Sequence, residues 1–135
     1  MFAIKAEIRD LRAKRYEFPA QKTMYGGRKI DAGDKIFIFA SENEGGHGLH
    51  ARAVVTSSKP FAKKHGIARQ TPRVSIVVSR TALAKWPLGR NELKAFKNWT
   101  DGQPATELNF KLYRQATNKI VGISAEASEF INTFF

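Results

Sequence analysis

The sequence predicts an α+β fold in which a small mixed or antiparallel β-barrel carries helices packed at its rim. Apolar and polar residues alternate with period two over residues 2–9 and 49–55, which is typical of strands with one buried face. Residues 74–78 are rich in β-branched side chains, and this also favours a strand. Clear helix signals begin only near residue 91. Short strands followed by short helices therefore indicate a barrel with helices at its edge.

The N-terminal part is predicted to hold one strand and then a long loop. The first strand covers residues 2–9, and a single helical turn is expected over residues 11–15. Pro19 and the Gly26–Gly27 pair interrupt regular structure, so residues 18–30 are predicted to form a loop. Loops of this length usually carry function.

A β-hairpin follows this loop. Gly33 and Asp34 form a turn, after which residues 35–41 read as an apolar strand that ends at a polar segment, 41–46. The return strand, 49–55, places His50 and Arg52 on the side away from the core. The hairpin is thus predicted to be built around a polar loop at one end of the barrel.

The C-terminal half alternates connectors, strands and helices. Each of the remaining elements is recognised by a local signal: basic character in a connector, β-branched residues in strands, and Asn91, Thr106 and Ser124 as helix starts. The predicted elements are a connector over 59–69, a strand over 74–78, a helix over 91–96, a helix from 106 that Asn118 ends, a strand over 120–123 and a helix from 124.

Composition limits the classes of function. A length of 135 residues with 42% apolar content suits one domain, and the absence of cysteine excludes disulfides and thiolate metal sites. Charged residues near the N-terminus interrupt any signal-like apolar run, and no later run has the length of a membrane span. The sequence is therefore expected to belong to a cytoplasmic protein without a membrane partner.

The charge indicates a polyanionic partner. The sequence has 23 Lys and Arg against 12 Asp and Glu, a formal net charge of +11, and the excess is distributed along the chain. Cations that replace counterions at phosphates give nucleic-acid binding that is sensitive to salt. Two alternatives stay open at this point: a basic surface that only maintains solubility, and a scaffold that meets an acidic protein.

The hairpin resembles a known family. The Gly33–Asp34 turn, the strand 35–41, the Gly-rich loop and the return strand ending at Val54–Val55 resemble the PUA-like barrels, especially their EVE and ASCH branches. The resemblance covers about the first half of the chain and implies one PUA-like domain over residues 1–135. It also implies a module that binds RNA or DNA and holds a base, modified or not, in a pocket near the hairpin loop.

The ASCH branch implies an alternative activity. Some ASCH proteins are small amidohydrolases that act on acylated nucleosides, using a Lys-Thr pair and a later glutamate. In this sequence Lys22 and Thr23, with Glu42 or Glu44, have the matching residue types. A lysine with a depressed pKa or a hydroxyl would then supply the base or the nucleophile.

Candidate residues for a base pocket are aromatic and polar side chains beside turns. Tyr25 and Trp99 can stack on a base, while Ser41, Glu42 and Asn43 can bond to its edge. For each of them a structural role, in the core or in a solvated turn, is the competing interpretation.

Phosphate contacts are predicted for four cations: Arg28, Arg52, Lys111 and Arg114. No cofactor is expected. No metal is expected either, because Glu42 or Glu44 is the only third ligand near His47 and His50 and the glycines at 46 and 48 indicate a flexible loop. The aromatic C-terminus, Phe130 with Phe134 and Phe135, either folds back onto the barrel or packs against a second copy of the chain in a homodimer.

Overall fold

A computed structural model describes residues 1–61, 66, 73–115 and 118–135. Within these residues, six strands close a barrel in the order β1-β3-β4-β5-β2-β6. The strands are β1 Phe2–Ala6, β2 Arg15–Met24, β3 Lys35–Ala40, β4 Gly48–Phe61, β5 Arg73–Leu83 and β6 Lys119–Gly122. Two pairs, β1 with β3 and β2 with β6, are parallel, and the other pairs are antiparallel. The predicted mixed barrel is confirmed.

Helical segments cover one side of this barrel. They are α1 Arg90–Leu93, α2 Pro104–Leu108, a π-helix Asn109–Gln115 that continues α2, and α3 Ala125–Asn132. The α3 helix begins as the sequence predicts, because the Ser124 side chain accepts a hydrogen bond from the amide of Ala127 at 3.0 Å. The helix predicted over 91–96 is shorter. Its cap is the Glu92 carboxylate, which accepts from the Gly89 amide at 2.8 Å, and not Asn91.

Side chains alternate between two apolar cores, one inside the barrel and one beneath the helices. In β3, Ile36 and Ile38 point into the barrel, while Phe37 and Phe39 point outward and pack against the helical layer. All four are fully buried, and each contributes about 1.5–3 kcal/mol of burial free energy. The continuously apolar sequence of β3 thus reflects a strand with both faces covered.

The loop predicted over residues 18–30 is wrong in its first part, because β2 continues to Met24. Pro19 and Ala20 lie together opposite Ser75, in a bulge between the Phe18–Ile76 and Gln21–Val74 pairs. The Ala20 amide donates to the Ser75 hydroxyl at 2.9 Å, and Ala20 adopts a φ of 49°. A bulge tolerates proline because no ladder hydrogen bond is required of it.

Two other local predictions are corrected. His50 does not face solvent: it is buried, with Nε2 lying 3.0 Å from the carbonyl oxygen of Leu11 and 3.3 Å from the Tyr16 hydroxyl. The segment predicted as a helical turn over 11–15 contains a simple turn before β2 begins. Of the basic connector 59–69, the first residues extend β4 to Phe61; residues 62–65 and 67–69 lie outside the described residues.

The aromatic C-terminus folds back onto the barrel. Phe135 lies 6.1 Å from Phe37, measured between ring centroids, and Phe130 lies 5.2 Å from Phe134. These rings extend the outer core over the end of α3.

Candidate nucleic-acid interface

Two of the predicted aromatic residues, distant in sequence, meet at a third aromatic ring. Tyr25 follows β2, Trp99 lies between α1 and α2, and both contact Phe110 of the π-helix. The ring centroids are 6.5 Å apart for Tyr25 and Phe110, and 5.4 Å apart for Trp99 and Phe110. Tyr25 is 40% exposed and Trp99 is 39% exposed. We call Tyr25, Trp99 and Phe110 the aromatic cluster; it leaves part of two large rings open to solvent.

Two of the predicted phosphate-binding cations border the aromatic cluster. The Lys111 ammonium lies 4.9 Å from the ring centroid of Tyr25, and the Arg114 guanidinium carbon lies 5.0 Å from that of Trp99. Such cation–π contacts hold a charged group beside an aromatic face without neutralising it. The cluster therefore combines stacking surfaces with the positive charge of Arg114, whereas the charge of Lys111 is paired with the Glu107 carboxylate at 3.0 Å.

A pocket of about 230 Å³ opens beside the cluster. Its lining mixes aromatic and polar side chains with one glycine: Trp99, Gly102, Gln103, Thr106, Glu107, Phe110 and Lys111. The volume lies below the ~300–1,000 Å³ that pockets for drug-sized ligands occupy.

The Glu107 carboxylate holds one wall of this pocket in place. It accepts from the Lys111 ammonium at 3.0 Å, from the Ser124 amide at 2.8 Å and from the Ser124 hydroxyl. Lys111 also donates to the carbonyl oxygen of Gly122 at 2.8 Å. Burial by itself would raise the pKa of Glu107, but the hydrogen bonds from Ser124 and Lys111 outweigh it and lower that pKa below 4.5. The carboxylate is consequently ionised at neutral pH and fixes the position of Lys111.

The other predicted pocket residues form a separate group at the hairpin loop. Glu42 accepts from the Arg90 amide at 2.7 Å and from the Tyr113 hydroxyl at 2.9 Å, and Asn43 accepts from the Arg90 side chain at 2.7 Å. Ser41 is buried, and its hydroxyl has no hydrogen-bond partner among the described residues. Across those residues, no hydrogen bond or ring contact joins this group to the aromatic cluster. Its bonds instead tie the loop to α1 and the π-helix.

A buried lysine lies beneath this second group. The Lys5 ammonium is 4.3 Å from the ring centroid of Tyr113, and the residue is 2% exposed. Burial lowers the pKa of Lys5, and the carboxylate of Glu42 partly offsets this effect. The pKa of Tyr113 is raised by burial and by the neighbouring Glu42. Tyr113 therefore holds Glu42 of the hairpin loop through its hydroxyl, and the Lys5 ammonium packs against the Tyr113 ring.

The remaining candidates lie elsewhere. Arg28 is exposed in the 3₁₀ turn Gly27–Lys29 that follows Tyr25. Arg52 donates to the Asn132 side chain at 2.8 Å and lies 4.9 Å above the Phe135 ring, at the end of α3. Two of the four predicted phosphate-binding cations thus border the aromatic cluster, and Arg52 lies beside the C-terminal aromatic residues.

The residues of the alternative enzyme are dispersed. Lys22 and Thr23 lie on β2, where they pair with Lys119 and Ile120 of β6. Glu42 follows β3, and in the barrel two strands, β6 and β1, lie between β2 and β3 on this side. The Glu42 carboxylate is engaged with Arg90 and Tyr113.

No metal-binding group is formed by the His, Asp and Glu residues in the described parts of the chain. The rings of His47 and His50 meet edge to face at 5.2 Å. Among the helices that the structure describes, none has both the length and the apolar character needed to cross a membrane.

Sequence reasoning did not find Glu107 or Phe110 as pocket residues. The spacing of Glu107 and Lys111, four residues apart on a helix, was a usable signal for an ion pair. Phe110 carried no local signal, since only the docking of the π-helix places its ring between Tyr25 and Trp99.

The sequence matches no family model, and it matches no curated protein at a significant level. Solved structures with the same fold do exist. The DUF55 domain of human thymocyte nuclear protein 1 is 16% identical, with a TM-score of 0.65 over 98% of this chain and 96% of that one. The human THYN1 protein in complex with DNA containing 5-methylcytosine is 16% identical, with a TM-score of 0.67 over 98% and 95%.

A bacterial protein from Pseudomonas putida is 14% identical, with a TM-score of 0.61 over 98% of this chain and 97% of that one. Identities this low establish a shared fold. The chain therefore shares the fold of these solved structures, a small mixed barrel with helices at its rim, as the sequence predicted.

Proposed function

We propose that this protein is a nucleic-acid-binding module that holds one unstacked base, modified or not, in the pocket beside Trp99. The observation that carries the proposal is the aromatic cluster, with Lys111 and Arg114 at its border and an open pocket at its side. A base stacked on an aromatic ring gains about 1–3 kcal/mol, and its phosphates are met by neighbouring cations. The net charge of +11 supports a polyanionic ligand.

The comparison with human THYN1 supports the same proposal. That protein has been observed with DNA containing 5-methylcytosine, and it covers nearly all of this chain with the same fold. A pocket that accepts a flipped or unpaired base fits such a ligand, because a base must leave its stack before its ring and edge can be enclosed. We therefore include 5-methylcytosine among the first bases to test. The absence of cysteine fits a reducing compartment, and we include the cytoplasm in the proposal.

The pocket as proposed lies at residues 99–111 and not at the hairpin loop 41–46. At that loop, the side-chain oxygens of Glu42 and Asn43 accept from Arg90 and Tyr113. A base at that loop would have to displace the bonds from Arg90 and Tyr113 before Glu42 and Asn43 could accept hydrogen bonds from it. In the pocket beside Trp99 the polar wall residues Glu107 and Lys111 are also bonded to each other, but the Trp99 ring is already 39% exposed.

The test is equilibrium binding of fluorescent single-stranded 12-mers of DNA and RNA, with one central cytosine or 5-methylcytosine, measured by anisotropy. Trp99→Ala should weaken binding by about 5- to 150-fold, the equivalent of one lost stack. Trp99→Phe keeps an aromatic ring and should retain most of the affinity. The matched control is Leu11→Ala, which removes a similarly exposed but aliphatic side chain from the β1–β2 connection.

The salt dependence of the affinity tests how much the cations contribute to nucleic-acid binding. Arg114→Gln should reduce the slope of log affinity against log salt by about 0.7, the value for one phosphate contact on a single strand. Arg15→Gln is the control, because Arg15 is exposed and paired with Glu17 at 3.2 Å. If no 12-mer binds saturably, or if Trp99→Ala binds as tightly as the unmodified chain, the proposed function is wrong.

A further inference from the structure

A second exposed tryptophan lies on a rigid loop. Trp86 follows β5 and is 64% exposed, more than any other large apolar side chain in the described residues. Backbone hydrogen bonds fix its loop on both sides of the tryptophan. The amides of Lys85 and Trp86 donate to the Phe134 carbonyl at 2.7 and 3.2 Å. The Leu88 carbonyl accepts from the Leu49 amide at 2.8 Å. The indole is thus held in solvent by an ordered backbone.

The chain between this tryptophan and Trp99 of the pocket is basic. We define the basic ridge as residues 85–99, which begin beside Trp86 and end at Trp99. Its cations are all exposed: Lys85, Arg90, Lys94 and Lys97. Its single carboxylate, that of Glu92, is engaged with the Gly89 amide. A ridge with this charge attracts phosphates along its length.

The ridge rests firmly on the helical layer. Leu93 is fully buried in the outer core, and the Phe96 carbonyl accepts from the Asn109 side chain at 3.0 Å. Helix α3, in contrast, presents Glu126 and Glu129 to solvent and would repel a phosphate chain. Of these two surfaces, the ridge is therefore the favourable path for a nucleic acid that leaves the pocket.

We propose that Trp86 and the basic ridge form a second contact for the same single strand, with Trp86 stacking on a base outside the pocket. This inference rests on the proposed function. It makes binding depend on strand length, because a strand that follows the ridge from the pocket to Trp86 gains a contact that a dinucleotide held in the pocket does not.

The experiment compares a dinucleotide with a 12-mer of the same base composition, with dissociation constants from isothermal titration and anisotropy. Trp86→Ala should weaken 12-mer binding at least about five-fold and leave dinucleotide binding unchanged. Trp86→Phe should restore most of the 12-mer affinity. Trp99→Ala should weaken both ligands.

The ridge is tested separately with the double variant Lys94→Gln/Lys97→Gln. Its salt slope for the 12-mer should fall by about 1.4, two single-strand phosphate contacts. The control double variant, Arg9→Gln/Arg15→Gln, removes two exposed cations outside the ridge and should leave the slope unchanged.

The outcomes separate the two proposals. If Trp99→Ala weakens both ligands while Trp86→Ala binds the 12-mer normally, the second contact is wrong and the proposed function stands. If Trp86→Ala weakens the dinucleotide as much as the 12-mer, Trp86 acts on the pocket itself and the second contact is also wrong. If neither variant changes any affinity, the proposed function fails.

Discussion

Removing the Glu107 carboxylate tests whether this side chain holds the pocket wall. In Glu107→Ala, the amide and hydroxyl of Ser124 lose their acceptor, and the Lys111 ammonium keeps the Gly122 carbonyl and the Tyr25 ring among the partners described above. A hydrogen bond to a charged group contributes about 1.5–3 kcal/mol, and neighbouring bonds are not additive. We expect the free energy of unfolding to fall by about 3 kcal/mol.

This effect should depend on pH in a defined direction. The pKa of Glu107 in the folded protein is lower than its usual 4.5, so the unfolded chain binds the proton more strongly. The stability that the carboxylate contributes is fully present above pH 4.5 and is lost progressively as the pH falls through the folded pKa. The difference between wild type and Glu107→Ala should consequently shrink in acid.

Urea denaturation followed by tryptophan fluorescence, at about pH 7 and about pH 3, measures both quantities. Glu17→Ala is the matched control. Glu17 pairs with Arg15 at 3.2 Å, but both side chains are about two-thirds exposed, so the loss should stay below about 1 kcal/mol. Equal midpoints for wild type and Glu107→Ala at neutral pH, or a difference that persists unchanged in acid, would refute the assigned role.

Three further changes have defined outcomes. A Cβ at Gly122 would collide with the Tyr25 carbonyl oxygen, so Gly122→Ala should cost about 1–3 kcal/mol in thermal denaturation; an unchanged melting temperature would contradict this close approach. Burial lowers the pKa of His50, so stability should fall as the pH drops below 6.5, and His50→Gln should flatten that decline in melting temperature. Tyr113→Phe removes the hydrogen bond to Glu42 and should cost about 2 kcal/mol in urea denaturation, whereas an undiminished midpoint would show that this bond contributes nothing.

Local patterns in the sequence were sufficient for much of the barrel. The alternation in β1, the apolar run of β3, the β-branched run of β5 and the Ser124 cap each depend on neighbours in the chain. Each element was confirmed, although β1 ends at Ala6 and not at residue 9, and β5 is longer than the predicted 74–78. The bulge at Pro19 was missed because a bulge is defined by the partner strand, here by Ser75 of β5. Pro19 considered alone predicted the end of a strand, but β2 continues past it because the bulge opposite Ser75 accommodates the proline.

The sequence predicted which residue types could bind a base, but it did not predict which of these residues lie close together. Tyr25 and Trp99 were selected because aromatic residues beside polar turns can stack on bases, and they do approach each other through Phe110. Glu42 and Asn43 were selected on similar grounds, yet they are bonded to Arg90. Polarity alone does not distinguish a ligand contact from an internal hydrogen bond.

The sequence by itself determined the strands other than β2, the start of α3, the excess of positive charge and the residue types able to bind a base, but it placed the start of α2 at Thr106 where the helix begins at Pro104. Only the tertiary structure decided which of them meet: barrel closure brings β2 beside β6, and docking of the π-helix places Phe110 and Lys111 against Tyr25. The physical reason is that periodicity and capping act between neighbours in the chain. A pocket depends on contacts between segments far apart in sequence, which the packing of the whole core selects.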